Sequence, residues 1–149
     1  MATTAQHMTW GEARLHPAYQ SYQLLHMGFT VLPILAGLDK FFHLLTNWDM
    51  YLSPIARHVL GNLSHPFMLL VGVIEMIVGL MVITRWTRIG AYIASIWLLL
   101  IAINLVTTGQ YFDIALRDIG LALSAFGLAK LSEGLALRGI RGRTEKIAA

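Results

Sequence analysis

The first long apolar segment of the chain ends in the sequence GLDKFFH, residues 37–43, which places an acid, a base and an imidazole within residues 39–43. The residues before it are apolar enough for a membrane-spanning helix. A charged side chain in hydrocarbon costs roughly 2.5–3.5 kcal/mol on insertion scales. The charges of this stretch therefore need partners of opposite sign elsewhere in the chain.

The composition is typical of a membrane protein. The 149 residues are 56% hydrophobic and 13% charged, whereas a soluble domain has about 25% charged residues. The net charge of +3 is small, and the basic residues lie mainly at segment ends and near the C-terminus, which argues against nucleic-acid binding. The sequence has no cysteine, which excludes disulfides, thiol redox catalysis and thiolate metal sites.

Four apolar segments predict an all-α fold, an integral membrane four-helix bundle. They cover residues 22–45, 67–84, 89–107 and 111–137. Each is close to the ~20 residues that cross ~30 Å of hydrocarbon. The connections after the second and third segments are short, so the last three helices are antiparallel neighbours. Together the four segments define one transmembrane domain, residues 22–137.

The longest connection, residues 46–66, predicts a short amphipathic helix on the membrane surface between the first two spanning helices. Ser53-Pro54 is a typical helix start, with serine as the N-cap and proline in the first turn. Residues 1–21 have no apolar core of a cleavable signal, so they predict an interfacial N-terminal segment. Residues 138–149 form a basic tail.

The positive charges predict the orientation of the bundle. Only Arg57 lies on the side of the 46–66 loop, whereas seven basic residues lie on the side of the termini and the second connection. By the positive-inside rule, both termini are cytoplasmic and the 46–66 loop faces outward. The seven residues are Arg14, Arg85, Arg88, Arg138, Arg141, Arg143 and Lys146.

Each of the four segments carries a strong polar group near the predicted outer surface. Neighbours at i and i+1 point about 100° apart on a helix, so we expect these groups to pair between helices. Glu75 has no base in its own segment. Its expected partner is Arg117, because a guanidinium can bind a carboxylate through two hydrogen bonds. The predicted polar layer comprises Asp39, Lys40, His43, Glu75, Asn104, Arg117 and Asp118.

Small residues predict which helix faces meet, because they let membrane helices approach closely. Gly72, Glu75 and Gly79 lie on one face of the second helix. The fourth helix has a face of this kind that includes Arg117, so this residue is expected to be buried in the bundle. The members of that face are Asp113, Arg117, Gly120, Ser124 and Gly127.

These motifs resemble the DoxX-like group of small four-helix bacterial membrane proteins. Some members of that group are small subunits of membrane oxidoreductases, including ones that feed electrons to quinone. The resemblance implies an accessory subunit of a redox-linked complex in the bacterial inner membrane. Its partners would be lipid and other membrane subunits, or further copies of the chain. The resemblance covers residues 32–131 and is carried by GLDKFF at 37–42, GVIEMIVG at 72–79 and LRD at 116–118.

The polar layer has three interpretations. It is a structural ion-pair network, a site for a small molecule such as a quinone headgroup, or an acid–base path for protons or ions. Phe41, Phe42 and Trp97 are candidate walls for a quinone ring. The favoured function is an accessory subunit whose layer can hold a quinone-like ligand. The alternatives are a small transporter or proton- or ion-conducting protein and an independent quinone-reducing enzyme, and no catalytic residue is identified.

The spacing of the histidines argues against haem as a cofactor. His26 and His43 are separated by seventeen positions on one helix, roughly 25 Å, and cannot share an iron. No zinc motif is present, so no metal is expected. The one alternative is that His43 meets His58 or His65 at the outer surface, as a metal site or as a haem with one loop ligand.

Overall fold

The computed structural model describes residues 17–148, with side chains as far as residue 136. Within that range the chain is helical and has no strand, which confirms the predicted all-helical fold. Residues 1–16 of the predicted interfacial segment lie outside the described residues. Five α-helices and two short 3-10 helices follow one another: α1 Pro17–Phe42, 3-10 Trp48–Tyr51, α2 Pro54–Leu60, 3-10 Gly61–Leu63, α3 Ser64–Ile83, α4 Thr87–Val106 and α5 Phe112–Ala148.

Within the described residues, three segments are long and apolar enough to cross a membrane. They are Pro17–Phe42, Pro54–Ile83 and Thr87–Val106. Large apolar side chains such as Leu80 and Ile103 are more than half exposed on these helices. A surface of this kind suits contact with lipid acyl chains rather than water.

The four long helices pack as two pairs. The most extensive contacts join α1 to α3 and α4 to α5, and the contacts between the two pairs are fewer. All four helices nevertheless contribute to one apolar core. Phe29 of α1, Val82 of α3, Ala94 of α4 and Leu128 of α5 are buried together in it. This core lies away from the end of the bundle that carries residues 43–63, which we call the loop end.

Helices α1 and α3 come close together at glycines. A Cβ atom on Gly72 would lie 2.6 Å from the carbonyl oxygen of Gly37, and one on Gly79 would lie 2.8 Å from that of Thr30. These distances are too short for a side chain, so the helix contact depends on glycine here. Gly72, Glu75 and Gly79 are all buried. The predicted packing face of the second helix is therefore confirmed.

Helix α5 packs through a different face from the predicted one, so that prediction is wrong. The Arg117 side chain is 62% exposed, and a Cβ added to Gly120 or Gly127 would meet nothing within 4 Å. A stripe rich in alanine faces the bundle instead. Alanine also allows close approach, and this rotation of α5 keeps the long charged arginine out of the core. The buried residues of α5 are Ala115, Asp118, Ala122, Ala125, Leu128 and Ala129.

The short helix predicted between the first two long helices is present. Ser53 is its N-cap, and its Oγ accepts a hydrogen bond from the backbone N–H of Ala56 at 3.1 Å. Pro54 occupies the first helical turn. The side chains of Ile55 and Val59 on α2 are exposed, so they form an apolar surface that points away from the bundle.

Candidate functional site

The central feature of the polar layer is a buried ion pair between α1 and α3. The Nζ atom of Lys40 lies 2.5 Å from Oε2 of Glu75, and their side chains are only 3% and 11% exposed. A Cβ on Gly72 would lie 3.2 Å from Cδ of Lys40, so this glycine leaves the space through which the lysine side chain reaches Glu75. The predicted pairing of Glu75 with Arg117 is therefore wrong.

Trp48 connects the two charged residues at the end of α1. Its indole N–H donates a hydrogen bond of 2.7 Å to Oδ2 of Asp39. The face of the same ring lies 3.9 Å from Nζ of Lys40, which is a cation–π contact. Lys40 is thus held between the carboxylate of Glu75 and the face of Trp48.

Asp39 organises the chain where α1 ends. Its Oδ1 accepts hydrogen bonds from the backbone N–H groups of Leu44 and Leu45 at 2.9 and 3.1 Å. His43 adopts a φ of 54°, in the left-handed region that residues other than glycine seldom occupy. These two features turn the chain out of the helix after Phe42, three residues earlier than the predicted span of 22–45.

Arg117 pairs with its own neighbour in sequence rather than across the bundle. Its Nη2 and Nε atoms lie 2.9 and 3.0 Å from Oδ1 of Asp118. The expectation that neighbours in sequence would not pair is wrong here, because the long arginine side chain folds back along the helix surface. Asp118 is buried and interacts electrostatically with both Lys40 and Glu75. It is the residue through which α5 joins the layer.

Trp97 of α4 lies beside Glu75. Its Nε1 atom is buried and interacts with the carboxylate of Glu75, but it makes no hydrogen bond of ordinary length to any described residue. Phe41 and Phe42, the other candidate walls for a ring, are 43% and 63% exposed. Trp97 is therefore the aromatic candidate that the fold places against the buried charges.

Asn104 holds the loop in place and lies apart from the ion pair. Its Nδ2 donates a hydrogen bond of 2.7 Å to the carbonyl oxygen of Tyr51. Its Oδ1 accepts one of 3.0 Å from the backbone N–H of Ser53. Through these two bonds the end of α4 is fastened to the segment that starts α2.

His43 belongs to a separate group at the surface of the loop end. Its ring stacks on that of His65, with centroids 5.7 Å apart. Nδ1 of His65 lies 2.9 Å from Oδ2 of Asp49. The alternative metal set of His43, His58 and His65 is thus only partly assembled, because His58 lies outside the cluster that the other two form with Asp49. Sequence reasoning missed Asp49, since nothing in its spacing distinguishes it from other loop acids.

These observations define a class of protein, namely a helical protein with three membrane-length helices and a pair of opposite charges buried between two of them. A comparison with known protein families finds no match, and neither a curated protein nor a solved structure matches the chain. The interpretation of its function therefore depends on the site itself.

Proposed function

We propose that this chain is a DoxX-like integral membrane protein with four spanning helices, and that it serves as an accessory subunit of a redox-linked complex in the bacterial inner membrane. In this proposal the buried charged layer holds the headgroup of a quinone-like ligand. The observation that carries the proposal is the buried indole N–H of Trp97, which faces Glu75 beside its ion pair with Lys40 but makes no hydrogen bond of ordinary length to any described residue.

The chemistry of this position fits a quinone headgroup. A buried N–H without an acceptor at hydrogen-bonding distance costs roughly 1–3 kcal/mol, and a quinone carbonyl oxygen would approach the N–H of Trp97 more closely than the Glu75 carboxylate does. Lys40 and Glu75 neutralise each other, so a neutral ligand beside them leaves this pair without net charge.

The exposed surface supports the role of a subunit. Ile77 and Leu80 on α3, and Ile96 and Leu100 on α4, are each more than half exposed. A partner helix can pack on such faces as well as lipid can. Among the described residues, the buried charged side chains all belong to the polar layer, so a partner protein would provide the remaining redox chemistry.

Proton or ion conduction is the second candidate, and one observation favours it. Asp118 interacts with the buried pair and is also bonded to Arg117, which is largely exposed. Ionisable groups thus extend from the interior to the surface. In the described part of the bundle, however, the core away from the loop end is apolar around Phe29, Val82 and Leu128. A path across the membrane would have to pass this core, so the ligand site is the better supported proposal.

A fluorescence titration tests the ligand site. The full chain in nanodiscs is titrated with a short-chain benzoquinone, and quenching of the tryptophan emission gives the dissociation constant. Trp97→Phe keeps an aromatic ring but removes the donor, so we expect the affinity to fall roughly tenfold, the effect of about 1.4 kcal/mol.

The matched control is Trp86→Phe. Trp86 is half exposed at the turn between α3 and α4, remote from the pair, and its variant should bind like the wild type. Equal affinities for the two variants, or no binding by the wild type, would exclude this ligand site.

Isolation from native membranes tests the subunit role separately. Mild extraction followed by mass spectrometry should yield the chain together with other membrane proteins in fixed ratio. A single oligomer of the chain alone would contradict the proposal that it is a subunit, whatever the result of the quinone titration.

A further inference from the structure

A second cluster of polar side chains lies at the surface of the loop end, apart from the buried pair. His43 follows α1, Asp49 lies in the 3-10 helix Trp48–Tyr51, and His65 lies in the first turn of α3. One ligand atom from each of the three residues lies within 4.8 Å of the other two. Residues that are separated in sequence are thus brought to one point by three different elements.

We infer that His43, Asp49 and His65 bind one divalent transition-metal ion of the zinc type. Two imidazoles and one carboxylate are a ligand set that suits zinc and ferrous iron, and they leave a position open for water or another ligand. This inference concerns a different part of the molecule from the proposed quinone site and does not depend on it.

Two features indicate that the cluster is more than a chance contact. Oδ1 of Asp49 is buried and has no hydrogen-bond partner among the described residues, so it is an acceptor that a cation would satisfy. His43 is held over His65 by a backbone in the left-handed region, with φ at 54°. Strained conformations of this kind tend to occur where a side chain has to be placed for function.

The contact between His65 and Asp49 also suits a metal site. Nδ1 of His65 and Oδ2 of Asp49 lie 2.9 Å apart, close enough for both to bind one ion, which would take the place of the proton between them. The side chain of His65 is 53% exposed, so an ion can enter from solvent. Ligands bound at about 2.0–2.1 Å from zinc lie closer together than 4.8 Å, and the exposed imidazole can close that gap by rotating.

One positive charge opposes a cation at this surface. Arg57 lines the same depression as Asp49 and His65. Its guanidinium donates a hydrogen bond of 2.8 Å to the backbone carbonyl oxygen of Asp49 rather than to the carboxylate. The carboxylate therefore remains available, and Arg57 holds the short helix in the position from which Asp49 reaches the two histidines.

Metal titration of the full chain tests the inference. The protein is purified in detergent with an affinity tag that contains no histidine, stripped with a chelator, and titrated with Zn²⁺ by calorimetry. We expect one ion per chain. His65→Gln and Asp49→Asn should each weaken binding roughly tenfold or more, whereas His58→Gln should bind like the wild type because His58 is outside the cluster.

Two further readouts separate loss of a ligand from loss of the fold. Co²⁺ should give visible absorption bands with the wild type and with His58→Gln, and much weaker ones with His65→Gln. Zn²⁺ should raise the unfolding temperature of the first two proteins only. Wild-type protein that binds no Zn²⁺, or equal loss of affinity in His58→Gln and His65→Gln, would overturn the inference.

Discussion

The lysine at position 40 shows how a membrane-length helix can carry a charge. Its ammonium group has the carboxylate of Glu75 on one side and the face of Trp48 on the other. Removing one member of a buried ion pair leaves an uncompensated charge, whereas replacing both by apolar residues of similar size is often neutral or stabilising. The stability of the protein therefore depends more on matching the two residues than on the presence of either one.

This argument predicts the outcome of a double-mutant cycle. Lys40→Met alone should lower the free energy of unfolding by about 3–5 kcal/mol, because Glu75 is left buried without a partner. Adding Glu75→Met should restore most of that loss. Arg88→Met is the control. The Arg88 side chain is 63% exposed, and its partner Glu133 is also paired with Lys130, so its effect should be much smaller. Thermal unfolding followed by circular dichroism compares the wild type, Lys40→Met, Glu75→Met, the double variant and the control. If the double variant is no more stable than Lys40→Met, the two charges do not compensate each other.

At the scale of single residues, the sequence allowed the need for a partner to be predicted but not the choice of partner. Glu75 has no base in its own helix, which is visible from sequence alone. Two bases lie at similar depth, and the preference for Arg117 rested on the geometry of guanidinium groups in general. The structure selects Lys40 because Gly37 and Gly72 bring α1 and α3 close together, and that distance is a tertiary property.

Among the helices, some glycines lie at tight helix contacts and others face open space. Gly37 faces the backbone of α3, where an added Cβ would lie 2.9 Å from Cγ of Met76. Gly120 faces open space on α5. The first glycine is required for packing, and the second only lowers the helix propensity of its segment.

We expect opposite effects from the same substitution at these two positions. Gly37→Ala should destabilise the protein by about 1–3 kcal/mol, because a crowded contact must be pushed apart. Gly120→Ala should be neutral or stabilise it by up to about 1 kcal/mol. Thermal unfolding in one detergent compares the two variants with the wild type. Equal losses at both positions would mean that α5 packs through its glycine face after all.

For the helices too, features set by local sequence could be predicted, whereas features set by tertiary packing could not. The start of α2 was predictable because Ser53 and Pro54 act on their own helix, through a cap and a fixed φ angle. The rotation of α5 about its axis was not. Both of its faces contain small residues, and the one with alanine is buried only because it fits the surface that α4 offers, where Ser95 donates a hydrogen bond of 2.8 Å to the carbonyl oxygen of Ala122.

For the whole molecule, the three membrane-length helices follow directly from composition, and the orientation remains a prediction. Reporter fusions test it. Green fluorescent protein attached after Ala149 should fluoresce, because the positive-inside rule places the C-terminus in the cytoplasm. Alkaline phosphatase inserted after Asn62 should be active, because the predicted orientation places that loop on the outer side. The reverse pattern in both fusions would show that the basic residues do not set the orientation.

The arrangement of the long helices as two pairs has a consequence for how the protein is made. Lys40 finds Glu75 within the first pair, and Asp118 finds Arg117 within the second. Each half of the chain therefore contains its own counter-charge when it is synthesised. Lys40 can be neutralised by Glu75 in the bilayer before the second half has been translated. Assembly can then proceed half by half, as expected for chains whose parts fold as units.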